Sequence, residues 1–526
     1  MLDRKELDTT STGLVVDRRQ VMAAAAALGL ATGLTALPAE AQETPKKGGT
    51  LKLGMEGGSA SDSLDPRTYA DSVAIAYSLM ACNCLVEIDD KGNATPELAE
   101  SWEAKPGATE WVFNIRKGIK FSTGKELDAD DVIYSIGLHR GETKSPAKGI
   151  LEPITEIKKT GSHQITIKLS GGNADLPFVL SDYHLIILPN GYNDFTKTLI
   201  GTGAYTLDKF EPGVRIIATR RKDGEYWKKG RGNFDSIELR YILDAAARTQ
   251  ALVTGQVDAV NRLDPKTAEL VMKAPTVNVV RSKASGLRYA FVAHRDTAPY
   301  TNNDLIMALK YGIDRQKIVD TVFKGFASIG NDHLISPANP YFDAALPQHP
   351  YDPDKASFHF KKAGISGPIE LQVSEGAFSG ATDSAVLYQE ALKKAGIALD
   401  VKRVSGDGYW SNVWLKSPFC AVYWGSRPTA DLQYSQTFLS SAAWNDTNWK
   451  RPEFDKIVIA ARAELDTAKR KTMYAEAQKM VAEDGGMICF AISDFLDGYS
   501  KKVKGVAVHA RYDLCDMRIA EKGWFA

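Results

Sequence analysis

Residues that could catalyse a reaction do not stand at the spacings that known catalytic sites use. The eight histidines form no His-Glu-x-x-His helix for zinc, and no Gly-x-Ser-x-Gly turn presents a nucleophilic serine. Gly201-Thr202-Gly203 begins a dinucleotide-like pattern, but Thr206 replaces its third glycine. Asp130-Asp131 is more typical of the first turn of a helix than of an acid/base couple. The sequence therefore predicts no catalytic residues and no cofactor.

The cysteines do not form a recognisable metal or disulfide framework. Cys82-Asn83-Cys84 suggests a metal or redox pair, but no second Cys or His pair stands at zinc spacing, and a bridge between such close cysteines is strained. Five cysteines are too few for a disulfide scaffold, and at most two bridges can form. We expect buried small hydrophobic residues at these positions: Cys82, Cys84, Cys420, Cys489 and Cys515.

The first forty residues are typical of an export signal. Arg18-Arg19 precede an uncharged stretch from Val21 to Leu37, and Ala39-Glu40-Ala41 is a small-x-small cleavage site. We expect cleavage after Ala41, with either a Tat-like or a Sec route, and a retained anchor is the alternative. No later stretch reaches the roughly 18 apolar residues of a spanning helix, and no cysteine stands at the cleavage site to take a lipid.

Composition places the chain among ordinary globular proteins and argues against polyanionic partners. Its 526 residues include 65 basic and 65 acidic side chains, with 44% hydrophobic residues. Removal of residues 1–41 takes away four basic and five acidic residues, which leaves a net charge of about +1. We expect several domains, because the chain is much longer than the roughly 150 residues of one domain. We expect no nucleic-acid partner, because the chain has no overall positive field.

Strand and helix patterns alternate along the whole chain. Apolar runs such as Thr50–Met55 predict strands, whereas Asp128, Asp244 and Asp314 are placed to cap helices and Pro452 to begin one. The sequence therefore predicts a mixed α/β fold.

Eleven segments together resemble one family: the extracellular solute-binding proteins, family 5, of ABC importers for peptides, opines and nickel. The segments are Ser63–Pro66, Leu85–Glu87, Pro96–Trp102, Trp111–Arg116, Gly118–Phe121, Ala129–Val132, Gly201–Tyr205, Tyr226-Trp227, Ala247–Asp258, Ala308–Ile318 and Pro452–Asp455. They span nearly all of the mature chain in order, which is more specific than any single motif.

The resemblance implies an α/β fold of the two-lobe periplasmic binding protein type (type II) with an additional third domain. Lobe I would comprise residues 42–84, 200–287 and 495–526, the extra domain 85–199, and lobe II 288–494. Strands that cross between the lobes would form a hinge, so that ligand binding accompanies closure. We expect glycine at Gly201-Thr202-Gly203 to supply positive φ at a crossover.

The resemblance also implies that the segment 419–431 contributes to the ligand site. Peptide-binding members place an aspartate three residues after a strand-ending tryptophan, where it binds the ligand's ammonium group. Here Arg427 stands three residues after Trp424. Because arginine keeps its charge, its expected partner is a ligand carboxylate or another planar anion. Asp431 would pair with a ligand amine or with Arg427 itself, and a purely structural bridge from Arg427 to a lobe carboxylate is the alternative.

Aromatic residues surround this segment and predict the walls of a solute pocket. Five of the nine tryptophans lie between positions 410 and 449, and tryptophan and tyrosine supply both apolar and polar contacts. The ligand-binding candidates are Arg427, Trp424, Asp431, Trp444, Asn445, Tyr423 and Trp410, with Asn83 and Ser63 on the opposite lobe.

These observations predict a periplasmic binding protein that captures an oligopeptide or opine-like carboxylated solute and delivers it to an ABC permease in the inner membrane. We expect a monomer, because binding proteins that must fit a permease are usually monomers. We also expect no metal, because no His-rich or Met-rich cluster marks a metal pocket. The alternative is a secreted hydrolase acting on peptides or glycosides, which would need catalytic residues in the cleft.

Overall fold

The computed structural model describes residues 44–526 apart from residues 407, 408 and 510. The predicted signal peptide, residues 1–41, lies outside the described residues. The strands are, in chain order, β1 (Thr50–Met55), β2 (Val86–Ile88), β3 (Ala94–Pro96), β4 (Ala99–Ala104), β5 (Glu110–Ile115), β6 (Ile154–Gly161), β7 (Gln164–Leu169), β8 (Tyr205–Glu211), β9 (Arg215–Arg220), β10 (Ser236–Tyr241), β11 (Ala259–Val260), β12 (Val277–Ser282), β13 (Arg288–Ala293), β14 (Ala327–Ile329), β15 (Ile369–Val373), β16 (Leu399–Arg403), β17 (Phe419–Trp424), β18 (Met487–Ser493), β19 (Phe495–Ser500), β20 (Val503–Lys504) and β21 (Trp524–Phe525).

The helices alternate with these strands. They are α1 (Ser72–Ala81), α2 (Ala129–Gly137), α3 (Lys148–Leu151), α4 (Leu176–Val179), α5 (Ala245–Val253), α6 (Pro265–Met272), α7 (Asn303–Tyr311), α8 (Arg315–Thr321), α9 (Pro353–Ala363), α10 (Ala381–Lys394), α11 (Tyr409–Asn412), α12 (Ala430–Thr437), α13 (Pro452–Ala463), α14 (Thr467–Asp484) and α15 (Ile519–Lys522). None of the helices in the described ranges combines the length and apolar character that a membrane span needs.

Short-range signals in the sequence determine where several helices begin. Asp128 forms a capping box with Asp131 at the start of α2, and the side chains of Asp244 and Asp314 accept backbone N–H groups at the starts of α5 and α8. Pro452 occupies the first turn of α13, where its missing N–H is not needed. The predicted helix starts and the mixed α/β alternation are confirmed.

Three larger sheets organise the described chain, and each has its own hydrophobic core. Sheet A has the strand order β12-β19-β11-β1-β10-β9-β8, sheet B the order β14-β18-β13-β17-β15-β16, and sheet C the order β4-β5-β7-β6. Their strands come from the three ranges assigned above to lobe I, lobe II and the extra domain. The exact domain boundaries stay a prediction.

The chain passes between sheets A and B at two adjacent places. Residues 283–287 lead from β12 to β13, and Asp494 alone separates β18 from β19. The two crossings are hydrogen-bonded to each other, because the Gly286 N–H donates to the Ser493 carbonyl and the Ser493 N–H donates to the Leu287 carbonyl, both at 2.8 Å. A change in the angle between the sheets would therefore be concentrated in these few residues.

The glycines of Gly201-Thr202-Gly203 serve a different purpose from the predicted one. Neither glycine has a positive φ. A Cβ on Gly201 would lie 2.2 Å from the Ala81 carbonyl oxygen, and one on Gly203 would lie 2.4 Å from the Ala81 carbonyl carbon. These glycines are required because the backbone passes directly against the end of α1, and the expectation of left-handed backbone is wrong.

All five cysteines are buried and unpaired, which confirms the prediction that they act as small hydrophobic residues. Burial raises the pKa of each thiol, and the pKa of Cys515 reaches about 11. Thiols in such surroundings stay protonated and unreactive at neutral pH.

A buried ion cluster joins the chain around β2 and β3 to the C-terminal helix. Lys228 Nζ lies 2.6 Å from Glu97 Oε1, 2.8 Å from Glu87 Oε2 and 3.1 Å from Glu521 Oε1. Arg518 contacts Glu97 at 2.8 Å and Glu521 at 3.1 Å. Burial opposes the charge of Lys228, but Glu521 and Glu97 raise its pKa well above the usual value. The cluster holds residues that are more than 400 positions apart in the sequence.

Replacing Lys228 with methionine should destabilise the fold strongly. The substitution keeps the length of the side chain but removes the charge shared by three buried carboxylates, and breaking a buried ion pair costs about 3–5 kcal/mol. Urea unfolding followed by circular dichroism measures the change. Lys168→Met, which removes the exposed pair between Lys168 and Glu156, is the matched control and should change stability little. Equal effects of the two substitutions would contradict a stabilising role for the cluster.

Candidate ligand-binding site

The segment after β17 lies at the boundary between sheets A and B. β17 pairs antiparallel with β13, with Trp424 opposite Arg288. Gly425 and Ser426, which follow β17, line a cavity of about 570 Å³. The strand therefore delivers the predicted binding segment to the junction between the sheets.

The cavity wall combines residues from both sheets and from the two crossings. Glu56 and Tyr512 come from the sheet A side, and Tyr289 comes from sheet B. Gly286 and Ser493 of the crossings complete the wall. The volume of the cavity falls within the roughly 300–1,000 Å³ that is typical of small-molecule sites.

Most charged side chains in this wall are neutralised by protein partners. Arg248 lies 2.8 Å from Glu56, and Arg262 lies 2.9 Å from Asp513. Asp494 pairs with Arg281. These pairs hold the wall together and leave little free charge for a ligand.

Arg427 does not line this cavity but a smaller one beside it, and among the described residues it differs from the wall residues because it has no carboxylate partner. Its Nε donates to the amide oxygen of Gln436, and its guanidinium carbon lies 5.9 Å from the centre of the Trp424 ring. In the part of the chain that the structure describes, no carboxylate lies within ion-pair distance of it. Burial lowers the pKa of Arg427, against the opposing effects of Tyr512 and Tyr423. The positive charge is thus half-buried and uncompensated.

Asp431 is engaged elsewhere. Arg462 Nε donates to its carboxylate at 2.9 Å, and the Ser435 hydroxyl donates at 3.2 Å. Burial raises the pKa of Asp431, although Arg462 opposes the shift. Asp431 therefore neutralises Arg462 and not Arg427.

The predicted aromatic cluster exists and has a buried carboxylate beneath it. Trp414, Trp424 and Trp444 pack with ring centres 6.1–6.3 Å apart. The indole N–H groups of Trp414 and Trp424 donate to Asp446 Oδ2 at 3.1 and 3.0 Å. Burial raises the pKa of Asp446 to about 7. Of the predicted aromatic residues, Trp424 is buried, whereas Trp410, Tyr423 and Trp444 keep 37%, 39% and 45% of their surface exposed.

Three predicted ligand contacts form hydrogen bonds within the protein. Asn445 is buried, and its amide donates to the Trp449 carbonyl at 2.7 Å. Asn83 is fully buried, where it donates to Glu97 and accepts from Thr202 and Trp227. The Ser63 hydroxyl accepts the Asp65 N–H in a local turn. Ligand contacts by these three residues stay a prediction.

Several residues at this junction have no signal in the sequence. Arg511 and Tyr512 line the cavity from the C-terminal segment, about 85 positions after Arg427. Arg288 is buried opposite Trp424 and donates to the Leu334 and Gly286 carbonyls and to the Ser336 hydroxyl. Only the packing of sheet A against sheet B brings these residues together. Among the described residues, no group of three or more potential metal ligands occurs.

Comparison with known proteins identifies the family. The sequence model for bacterial extracellular solute-binding proteins, family 5 (middle), matches residues 93–446. The dipeptide-binding protein of Pseudomonas aeruginosa is 24% identical over 484 residues, with 84% of this chain and 90% of that protein covered. The glutathione-binding protein GsiB of Salmonella paratyphi A is 23% identical, with 91% and 95% covered.

Solved structures agree on the fold. The periplasmic binding protein AgaA of A. tumefaciens R10, in complex with agropinic acid, aligns with a TM-score of 0.73 at 21% identity and covers 91% of this chain and 99% of that one. HbpA2 of Haemophilus parasuis aligns with a TM-score of 0.80 at 19% identity, with 91% and 100% covered. The predicted periplasmic binding protein fold is confirmed. The named relatives are binding proteins, and no observation favours the hydrolase.

The Asp446→Asn variant should be more stable than the parent protein at pH 7.5, and the difference should disappear near pH 4. The buried carboxyl has a pKa of about 7, against about 3.9 when unfolded. The folded state therefore binds the extra proton, and stability falls as the pH rises through this window. Asparagine stays neutral and can still accept both indole N–H groups.

The gain at pH 7.5 should be on the order of 2–4 kcal/mol, measured by urea unfolding at several pH values from 4 to 8. Asp446→Ala, which also removes the acceptor for both indoles, should be less stable than Asp446→Asn throughout this range. A pH-independent difference between Asp446→Asn and the parent would show that Asp446 does not titrate in the window.

Proposed function

We propose that this chain, which belongs to the family 5 bacterial extracellular solute-binding proteins, captures an oligopeptide or opine-like solute with a free carboxylate for an ABC importer. The ligand would occupy the cavity of about 570 Å³ between sheets A and B. The chain would carry out no chemical reaction of its own.

The uncompensated charge of Arg427 carries this proposal. A guanidinium group remains protonated at physiological pH and, once removed from water, needs an anionic partner. The described protein supplies the Gln436 amide oxygen and the Trp424 ring but no carboxylate. A planar ligand carboxylate would fit the remaining donors, and such charge-assisted hydrogen bonds are roughly twice as strong as neutral ones.

The relatives' ligands support the same chemical class. Dipeptides, glutathione and agropinic acid, which appear in the names of the relatives reported above, are all carboxylic acids. The exposed aromatic surfaces of Trp410, Tyr423 and Trp444 lie outside the cavity wall, so they would contact less polar parts only of a ligand that extends beyond the cavity. Asp431 would contribute only if the ligand displaced Arg462, since that pair is intact.

Closure about the two crossings would couple capture to delivery. Sheet A with the C-terminal segment would form lobe I, sheet B lobe II, and the region of sheet C the extra domain, with the boundaries predicted above. The closed, liganded form would be recognised by the permease in the inner membrane. The relatives' structures include periplasmic binding proteins, and we propose export to the periplasm, cleavage after Ala41 and a monomeric mature protein.

Native mass spectrometry of the mature protein, purified from its own periplasm, should show a bound small molecule that is released on denaturation and carries at least one carboxylate. Its dissociation constant should rise about tenfold or more in Arg427→Gln, since a hydrogen bond to a charged group contributes about 1.5–3 kcal/mol. Isothermal titration calorimetry with the identified molecule measures this change.

Arg215→Gln is the matched control, because Arg215 forms an exposed ion pair with Glu211 on sheet A and does not line the cavity. It should bind the molecule as the parent protein does. A released molecule without any acidic group, or unchanged affinity in Arg427→Gln, would refute the proposed role of Arg427.

A further inference from the structure

A second, much smaller cavity adjoins the first at the boundary between sheets A and B. It has a volume of about 40 Å³. Ser336 and Arg427 line it from the sheet B side, whereas His509 and Arg511 line it from the C-terminal segment. Ser426 and Arg511 belong to the walls of both cavities. The small cavity therefore shares part of its wall with the proposed ligand site and is lined by residues of both lobes.

Two guanidinium groups from opposite sides line this cavity. Arg511 is held firmly in place, because it donates to the Ser181 hydroxyl at 2.9 Å and to the Ser181 carbonyl at 3.2 Å. Its Nε lies 3.2 Å from Asp516. Arg427 approaches from the loop after β17 and has no carboxylate partner among the described residues. The position of Arg511 is thus set by Ser181 and Asp516, whereas the position of Arg427 is set by the loop after β17 of sheet B.

Arg288 adds a third positive charge behind the cavity. Its guanidinium is buried, and among the described residues it contacts only neutral oxygens, which include the Ser336 hydroxyl in the cavity wall. Burial and the nearby charge of Arg427 lower the pKa of Arg288 to about 10, which still leaves it protonated at neutral pH. Two guanidinium groups thus line the cavity and a third lies behind its Ser336 wall. Among the described residues, Asp516 is the one carboxylate that contacts any of the three. The cavity has an excess of positive charge.

We propose that the small cavity is the seat of the ligand carboxylate, and that this carboxylate bridges Arg427 of lobe II and Arg511 of lobe I. This inference rests on the proposed function and names the group of the ligand that closes the protein. A single water molecule needs about 10–15 Å³ of such space, so a cavity of about 40 Å³ has room for a group of the size of a carboxylate. The Ser336 and Ser426 hydroxyls stand at the wall as further donors.

The bridge would make closure depend on an anion. Closure without a ligand would bring the charges of Arg427 and Arg511 to one small cavity, with Asp516 balancing only that of Arg511. Like charges repel more strongly in a site of low dielectric constant than in water. A carboxylate between them replaces this repulsion with two charge-assisted contacts. A neutral ligand of the same shape fills the main cavity without removing the repulsion. The protein would therefore close more readily on an acidic ligand than on a neutral one.

The inference is tested with two matched series of probes, the alanine peptides from dialanine to pentaalanine as free acids and the same peptides as C-terminal amides. Thermal unfolding and calorimetry measure binding to the mature protein after removal of any co-purified molecule by unfolding and refolding. Small-angle X-ray scattering measures closure as a decrease in the radius of gyration. Acetate at the same concentration serves as a free anion without a peptide.

We expect at least one acid to bind at least tenfold more tightly than its amide and to decrease the radius of gyration. Arg427→Gln and Arg511→Gln should each abolish this preference. If Arg511→Gln does not fold, Arg511→Lys, which preserves the charge facing Asp516, is measured in its place and should reduce the preference. Arg215→Gln should retain the preference.

Equal binding of acids and amides, or a preference that survives both substitutions, would overturn the carboxylate seat while leaving the binding function intact. Closure by acetate alone would assign the cavity to a free anion and would likewise overturn the bridge to the ligand. Failure of both peptide series to stabilise the protein would instead contradict the carboxylated peptide ligand, and with it the proposed function on which the inference rests.

Discussion

The pairing of the two crossings between sheets A and B is the constraint on which the rest of the binding architecture depends. Gly286, Leu287 and Ser493 tie the crossings together through backbone hydrogen bonds, and the same residues line the cavity of about 570 Å³. The floor of the ligand site is therefore also the connection between the two halves. A solute that contacts this floor and both walls interacts with every part that must move. Binding and the angle between the sheets cannot be independent in such an arrangement.

Charge compensation separates the structural parts of this junction from the part that is open to a ligand. Arg248 and Arg262 are paired with Glu56 and Asp513, so these walls are complete without a solute. Arg427 is different, because burial removes water from it and the described protein offers no carboxylate in exchange. An incomplete partner set at a movable boundary is a sign of ligand recognition. The proposed carboxylate seat follows from this contrast.

Local patterns could be predicted from the sequence, whereas contacts between distant segments could not. The cap at Asp128 and the position of Arg427, three residues after a strand-ending tryptophan, depend on near neighbours in the chain. The pairing of Asp431 with Arg462, the burial of Asn83 and the approach of Arg511 depend on how three separately built sheets pack. Asn83 is predicted to contact the ligand, but its side-chain amide forms hydrogen bonds with Glu97, Thr202 and Trp227. The sequence around Asn83 does not indicate these partners, because they lie far from it along the chain.

The C-terminal segment connects the binding junction to the buried ion cluster through a strained turn. Leu514–Met517 have φ between 50° and 63°, a conformation that costs about 1–2 kcal/mol for each non-glycine residue. The turn persists because its flanks are fixed: Asp497 accepts the Leu514 N–H at 2.6 Å, and Arg518 lies 2.8 Å from Glu97. Arg511, just before the turn, is thereby anchored to the same body as the ion cluster, while Arg427 belongs to sheet B. In the proposed closure one arginine stays and the other approaches it, so an anion between them determines whether the approach is favourable.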